Sequence, residues 1–141
     1  MADNPLALAF GKVMVPVDMR HLENSRQPIQ MAGAIAAAND GELFLMTAAN
    51  PLGKHITDTP EQQRKAFEDW AGRLAGEAGC QVTPVFRSHE SPERAILQEC
   101  RERDVDLIVM ASHNPRLTDH LFGSHASHIV RDAPCSVMVL R

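Results

Sequence analysis

The chain has 141 residues, 44% hydrophobic and 23% charged, which suits one compact domain and excludes a disordered chain. A formal charge of −4, with 14 Lys and Arg scattered among 18 Asp and Glu, and only five Phe and one Trp argue against a dedicated nucleic-acid-binding role. No apolar run approaches the roughly 18 residues of a membrane span, and Met1-Ala2-Asp3-Asn4-Pro5 is not the start of a secretory signal.

Residues 1–11 show no periodicity and read as an N-terminal extension, with the domain over 12–141. Lys12-Val13-Met14-Val15-Pro16-Val17-Asp18 is a short β-branched run, expected as a strand buried on both faces. A helix is expected over 25–39, capped by Ser25, with Pro28 in its first turn and Ile29, Ala32, Ile35 and Ala36 facing inward. Asn39-Asp40-Gly41 turns the chain into a second strand, Glu42 to Thr47, followed by a loop over 48–59. Thr59-Pro60-Glu61-Gln62 opens the next helix as a capping box, and Phe67, Trp70, Ala71, Leu74 and Ala78 continue it to Gly79.

Gln81 to Arg87 alternates and contains Pro84, which places it at a sheet edge. Ser91-Pro92-Glu93 caps a helix with Ile96, Leu97 and Cys100 inward, and Asp106 to Ala111 is the most strand-like run of the chain. Gly123-Ser124 opens a last helix with Ala126, Ile129, Val130 and Ala133 on one face, and Ser136 to Leu140 is a closing strand. This alternation of strands and helices predicts a single doubly wound α/β domain, a parallel sheet with helices on both faces.

In such a sheet, ligands sit beyond the carboxyl ends of the strands where the winding reverses. Val17-Asp18, Thr47-Ala48 and the segment Ala111–Ser124 fall there. The last runs from a buried strand to Gly123-Ser124 at a helix start, whose unpaired N–H groups and dipole favour a phosphate. The plainer alternative is that Ser124 only caps its helix. Neither the dinucleotide fingerprint G-x-G-x-x-G nor the P-loop G-x-x-x-x-G-K-[ST] occurs, so dehydrogenase and P-loop chemistry are set aside.

The runs Val13 to Asp18 and Asp106 to His113, and the tail from Leu121 through Gly123-Ser124-His125-Ala126 to Val139, resemble the universal stress protein family over about residues 12–141. The loop pattern Ala-Ser-His-x-Pro resembles its bacterial F-type branch. The resemblance implies a five-stranded sheet of order 3-2-1-4-5, a homodimer, and bound ATP, with or without Mg, or a related adenine nucleotide. The family's loop reads G-x-x-G, nine residues, then G-[ST]; here Ala111 and Asn114 stand for the two glycines, and eight residues separate Asn114 from Gly123. Asn114 is the best non-glycine residue for a left-handed turn, Ala111 adds a methyl beside the ribose position, and Pro115 removes a donor.

Carried over position by position, the resemblance puts Pro16, Val17 and Asp18 at the end of the first strand, with Asp18 accepting from adenine or ribose. Thr47 lines the adenine slot with backbone groups, Met110 and Ala111 border base and sugar, and His113 and Asn114 edge the phosphates. Gly123, Ser124, His125 and Ala126 hold the phosphates. On the residues alone, an acid at a strand end such as Asp18 is more often a cap of its own loop than a ligand, and it is the resemblance that puts the two readings on a par.

The seven histidines include His120, His125 and His128, but no second Cys/His cluster completes a zinc site, so no metal is expected. Ser112-His113 and Ser124-His125 are adjacent pairs that project in different directions, with no G-x-S-x-G elbow, and no catalytic residue is assigned. Any phosphoryl chemistry is then slow hydrolysis or self-modification rather than substrate turnover. Cys80, Cys100 and Cys135 are an odd, widely spaced set, which points to a reducing, cytoplasmic setting. The apolar last strand leaves an edge to be covered, and pairing with its own copy is the expected solution. Two functions remain: a stress-response regulator or sensor that binds an adenine nucleotide, and a dimeric interaction protein of the same fold without one.

Overall fold

The β-branched run at residue 12 becomes the axis of the sheet. In the computed structural model, which describes residues 10–49, 58–89, 91–111 and 124–141 (side chains at 124 and 125 excepted), β1 spans Lys12–Pro16. Successive side chains of a strand point to opposite faces: Val13, Val15 and the following Val17 enter one apolar cluster, and Met14 enters the other. Both faces are covered, which is why an unbroken apolar run is stable there.

The chain continues through a 3-10 turn (Leu22–Ser25), α1 (Arg26–Ala38), β2 (Glu42–Ala49), α2 (Pro60–Ala75), β3 (Gln81–Ser88), α3 (Pro92–Glu102), β4 (Leu107–Ala111), α4 (Ser124–Asp132) and β5 (Ser136–Leu140). All five strands are parallel, in the order β3-β2-β1-β4-β5. α1 and α2 bury Ala32, Ala36, Phe67 and Ala71 with Val13, Val15, Leu43, Leu45 and Val109. α3 and α4 bury Ala95, Ile96, Cys100 and Ile129 on the opposite face, against Met14, Phe44, Met46 and Ile108. The doubly wound fold and its strand order are as the sequence led us to expect.

Local signals explain most boundaries. α2 starts on a complete capping box: Gln62 N–H donates to Thr59 Oγ1 at 3.2 Å, and Thr59 N–H donates to Gln62 Oε1 at 2.8 Å. Its end differs from expectation. Gly76, a poor helix former, closes it after Ala75, and Gly79 instead supplies a left-handed turn at φ 70°. Ser25 precedes α1 but makes no side-chain cap bond, because the 3-10 turn already holds its backbone in helical conformation (φ −94°, ψ −8°), where a cap needs extended geometry. Ser91 likewise lacks the side-chain bond; its N–H donates to His89 Nδ1 at 2.9 Å.

Val130, expected inward, is 45% exposed, whereas Ile129 is 1% exposed. The buried stripe of α4 is narrow, and a residue one step past its centre turns about 100° away. β2 runs two residues beyond Thr47, and the β1 ladder stops at Pro16, two residues before Asp18. Asp106 lies just before β4, where its Oδ2 accepts from Lys12 N–H at 2.9 Å. Of the N-terminal extension, Phe10 packs against the α1/α2 cluster, and residues 1–9 lie outside the described chain.

Candidate functional site

The winding reverses at β1, since β2 and β3 lie on one side and β4 and β5 on the other. β1 is laddered to β2 over five residue pairs but to β4 over two, Val13 with Leu107 and Met14 with Ile108. Beyond those pairs the carboxyl halves of β1 and β4 share no ladder bond, and this unlinked seam is the crevice that a doubly wound sheet offers a ligand.

Val17 forms one wall. Its N–H donates to the Met46 carbonyl at 2.7 Å, and its own carbonyl accepts from the Thr47 hydroxyl at 2.8 Å. Thr47 is 5% exposed, so its hydroxyl is committed to holding β1 against β2. That leaves its backbone groups as what it can offer a ligand.

Asp18 follows at the open end. Its Oδ1 accepts from Arg20 N–H at 2.9 Å and from Arg20 Nε at 3.2 Å, while among the described residues Oδ2 meets only Arg20 Nη2, at 3.4 Å. Partial burial pushes the carboxyl pKa up, but the Arg20 hydrogen bonds and charge, with His21, outweigh it and leave the group below the usual range. The acid is therefore ionised at neutral pH. The loop-capping reading of Asp18 is visible in the Oδ1 bond two residues on, and Oδ2 retains acceptor capacity. Arg20 is the residue that sequence reading missed; its only signal was a cation two positions after the acid.

On the other wall, Met110 and Ala111 are partly buried and pair with Val139 and Leu140 of β5. Pro16 is partly buried and paired with Met46. α4 begins at Ser124 and Ala126 is buried in its first turn. His113, Asn114 and Gly123 lie outside the described residues, as do the side chains of Ser124 and His125, so the phosphate-holding half of the expected site is not among the groups brought together here.

His128, considered above as a ligand, is paired with Glu93 of α3 at 3.8 Å. Among the described residues no group of three His, Cys, Asp or Glu could hold a metal ion. A hollow of about 580 Å³ lies at the opposite, amino end of the strands. Its rim carries Asp40, Glu42, Asp104 and Asp106 against Lys12. Such a rim repels a phosphate, so the carboxyl end remains the candidate site.

The comparisons with known proteins agree with this fold. The universal stress protein family model matches residues 9–141. The chain belongs to that family. Universal stress protein G of Salmonella typhimurium is 30% identical over 142 aligned positions, covering 94% of this chain and 99% of that protein. The F-type resemblance of the loop thus stands beside a G-type relative. Among solved structures, the universal stress protein UspA of Lactobacillus plantarum superposes with a TM-score of 0.76 at 19% identity, over 96% of this chain and all (100%) of that one. The universal stress protein of Archaeoglobus fulgidus, determined in complex with dAMP, gives 0.72 at 18% identity, over 95% and 100%. A universal stress protein in complex with cAMP gives 0.68 at 23% identity, over 93% and 98%. In this family setting, the Thr47–Val17 and Asp18–Arg20 bonds shape the rim of the crevice.

Proposed function

We propose that this universal stress protein binds ATP or a related adenine nucleotide in the β1/β4 crevice and acts as a stress-response regulator or sensor. The observation that carries the reading is the ionised, half-exposed Asp18 beside a seam where β1 and β4 share no ladder bond. A carboxylate oxygen with a single long contact among the described residues is suited to accept from a ribose hydroxyl or an adenine amine. The dAMP and cAMP complexes of structural relatives support the adenine class.

Pro16, Val17, Asp18, Thr47, Met110 and Ala111 would hold base and sugar. His113, Asn114, Gly123, Ser124, His125 and Ala126 would serve the phosphates, chiefly through amides at the α4 start, with Mg as an optional counter-ion. No group is assigned to substrate turnover. The protein would work in the cytosol, where its three cysteines stay free.

The reading is tested by denaturing freshly purified protein and chromatographing the supernatant. Adenine nucleotide near one equivalent per chain supports it. Protein that carries none and does not take up ATP in dialysis favours the second reading, a dimeric interaction protein, which the Ala111 methyl at the end of β4 would explain.

We further propose a homodimer formed through β5. In the described chain β5 is paired only with β4, and its Val137, Met138, Val139 and Leu140 are all partly exposed. An apolar edge of this kind is stabilised by pairing with a second copy.

A further inference from the structure

Asp18 and Arg20 form a closed local fork at the open end of β1. Oδ1 of Asp18 accepts from Arg20 N–H at 2.9 Å and from Arg20 Nε at 3.2 Å. An ionised carboxylate has about four lone-pair sites, shared equally by its oxygens, so Oδ1 is full. Among the described residues Oδ2 has one contact, the 3.4 Å approach of Arg20 Nη2. That leaves the group roughly one strong acceptor position. The Arg20 and Asp18 side chains are 85% and 47% exposed, and an ion pair so exposed adds little to stability. Its consequence is to decide which Asp18 oxygen a ligand can reach.

We propose that Arg20 is a specificity-determining residue of the crevice: by filling Oδ1 it limits Asp18 to one sugar hydroxyl, so that the site admits ribo- and deoxyribonucleotides alike. The inference rests on the adenine-nucleotide reading above and adds to it which sugars are accepted. A vicinal diol binds a carboxylate most fully with one hydroxyl on each oxygen, which needs both oxygens open. Here only Oδ2 is open, and either the 2′- or the 3′-hydroxyl can donate to it. Removing one hydroxyl leaves the other to take its place. Removing both leaves the acid facing a sugar with no donor, which is the costly case.

The fork needs a guanidinium. Its Nε and Nη2 lie in one plane and meet both carboxylate oxygens, whereas an ammonium is a single point charge. Arg20→Lys therefore keeps the charge but gives up the Nε bond on Oδ1. The backbone N–H of residue 20 stays on Oδ1 in every variant, so one lone pair is freed and the diol can be held by both oxygens.

The test is calorimetric titration of the nucleotide-stripped full chain with ATP, 2′-deoxy-ATP, 3′-deoxy-ATP and 2′,3′-dideoxy-ATP. The first three should bind within about threefold of one another, and the dideoxy nucleotide about tenfold more weakly, as for loss of a hydrogen bond to a charged group. Arg20→Lys and Arg20→Ala should each create a preference of about tenfold for ATP over both monodeoxy nucleotides. Adding Asp18→Asn should abolish that preference, because Arg20 acts through the acid. The series on the unsubstituted protein does not depend on how any variant folds. A monodeoxy nucleotide bound about tenfold more weakly than ATP by that protein overturns the proposal. So does dideoxy-ATP that binds as tightly as ATP, or an unchanged ratio in the Arg20 variants. In those three cases ATP still binds and the adenine-nucleotide reading stands; binding of none of the four nucleotides overturns both.

Discussion

The Thr47 hydroxyl donates to the Val17 carbonyl at 2.8 Å, and both residues are buried. This bond closes the β1/β2 side of the crevice just where the β1 ladder ends. Thr47→Val keeps the shape but leaves a buried carbonyl without this donor, at a cost of about 1–3 kcal/mol in chemical denaturation. Thr47→Ser should recover most of that loss. Equal stability of the Val and Ser variants would contradict this role for the hydroxyl.

Under the proposed function, Asp18 would act on the ligand rather than on the fold. Its carboxylate is about half exposed, and Asn at that position can still accept from Arg20 N–H. Asp18→Asn should leave stability within about 0.5 kcal/mol of the parent protein, while nucleotide affinity drops. A large loss of stability in this variant would show that the acid is structural.

Glu99 gives the fold a pH dependence. Buried at 6% exposure, it accepts from Arg87 Nη1 at 2.9 Å and from Arg103 Nε at 2.7 Å, fastening α3 to β3. Burial pushes its pKa up, but the two guanidinium groups outweigh that and hold it below the normal value of 4.5. A depressed folded pKa means the stabilisation is fully present above the unfolded value and is lost as pH falls through the folded one. Thermal stability should therefore drop as pH is lowered below about 4.5, and Glu99→Gln should show a shallower drop from a lower starting point. Parallel curves for the two proteins would assign the acid transition to other carboxylates.

Much of this was legible in the sequence because local signals agreed with one another. The Thr59–Gln62 box, Pro84 on an edge strand and the apolar runs at Val13 and Leu107 all point to the fold that is found. What was not legible depends on neighbours. Val130 has the hydrophobicity of a core residue but faces solvent because α4 buries only a narrow stripe, and Ser25 loses its cap to a preceding 3-10 turn. At the site, Asp18 and Thr47 could be placed from strand ends alone. The Arg20 pairing and the commitment of the Thr47 hydroxyl could not, since both depend on how the chain turns after β1.

The two neighbours on α4 separate burial from hydrophobicity. Ile129→Ala should cost about 2–5 kcal/mol through loss of core contacts. Val130→Ala should stay within about 0.5 kcal/mol. Similar losses for the two variants would mean that Val130 is covered in solution.

Sedimentation velocity addresses the β5 edge. The chain should sediment as a dimer at micromolar concentration, and Val139→Lys should shift it to monomer by placing a charge on the paired edge. A monomeric parent protein would contradict the edge-pairing proposal.

Calorimetric titration of ATP into nucleotide-stripped protein tests the central proposal most directly. Saturable binding of one ATP per chain, weakened about tenfold or more by Asp18→Asn as expected for loss of a charged hydrogen-bond acceptor, is the result predicted here. Absence of binding by the unsubstituted protein at millimolar ATP would contradict it.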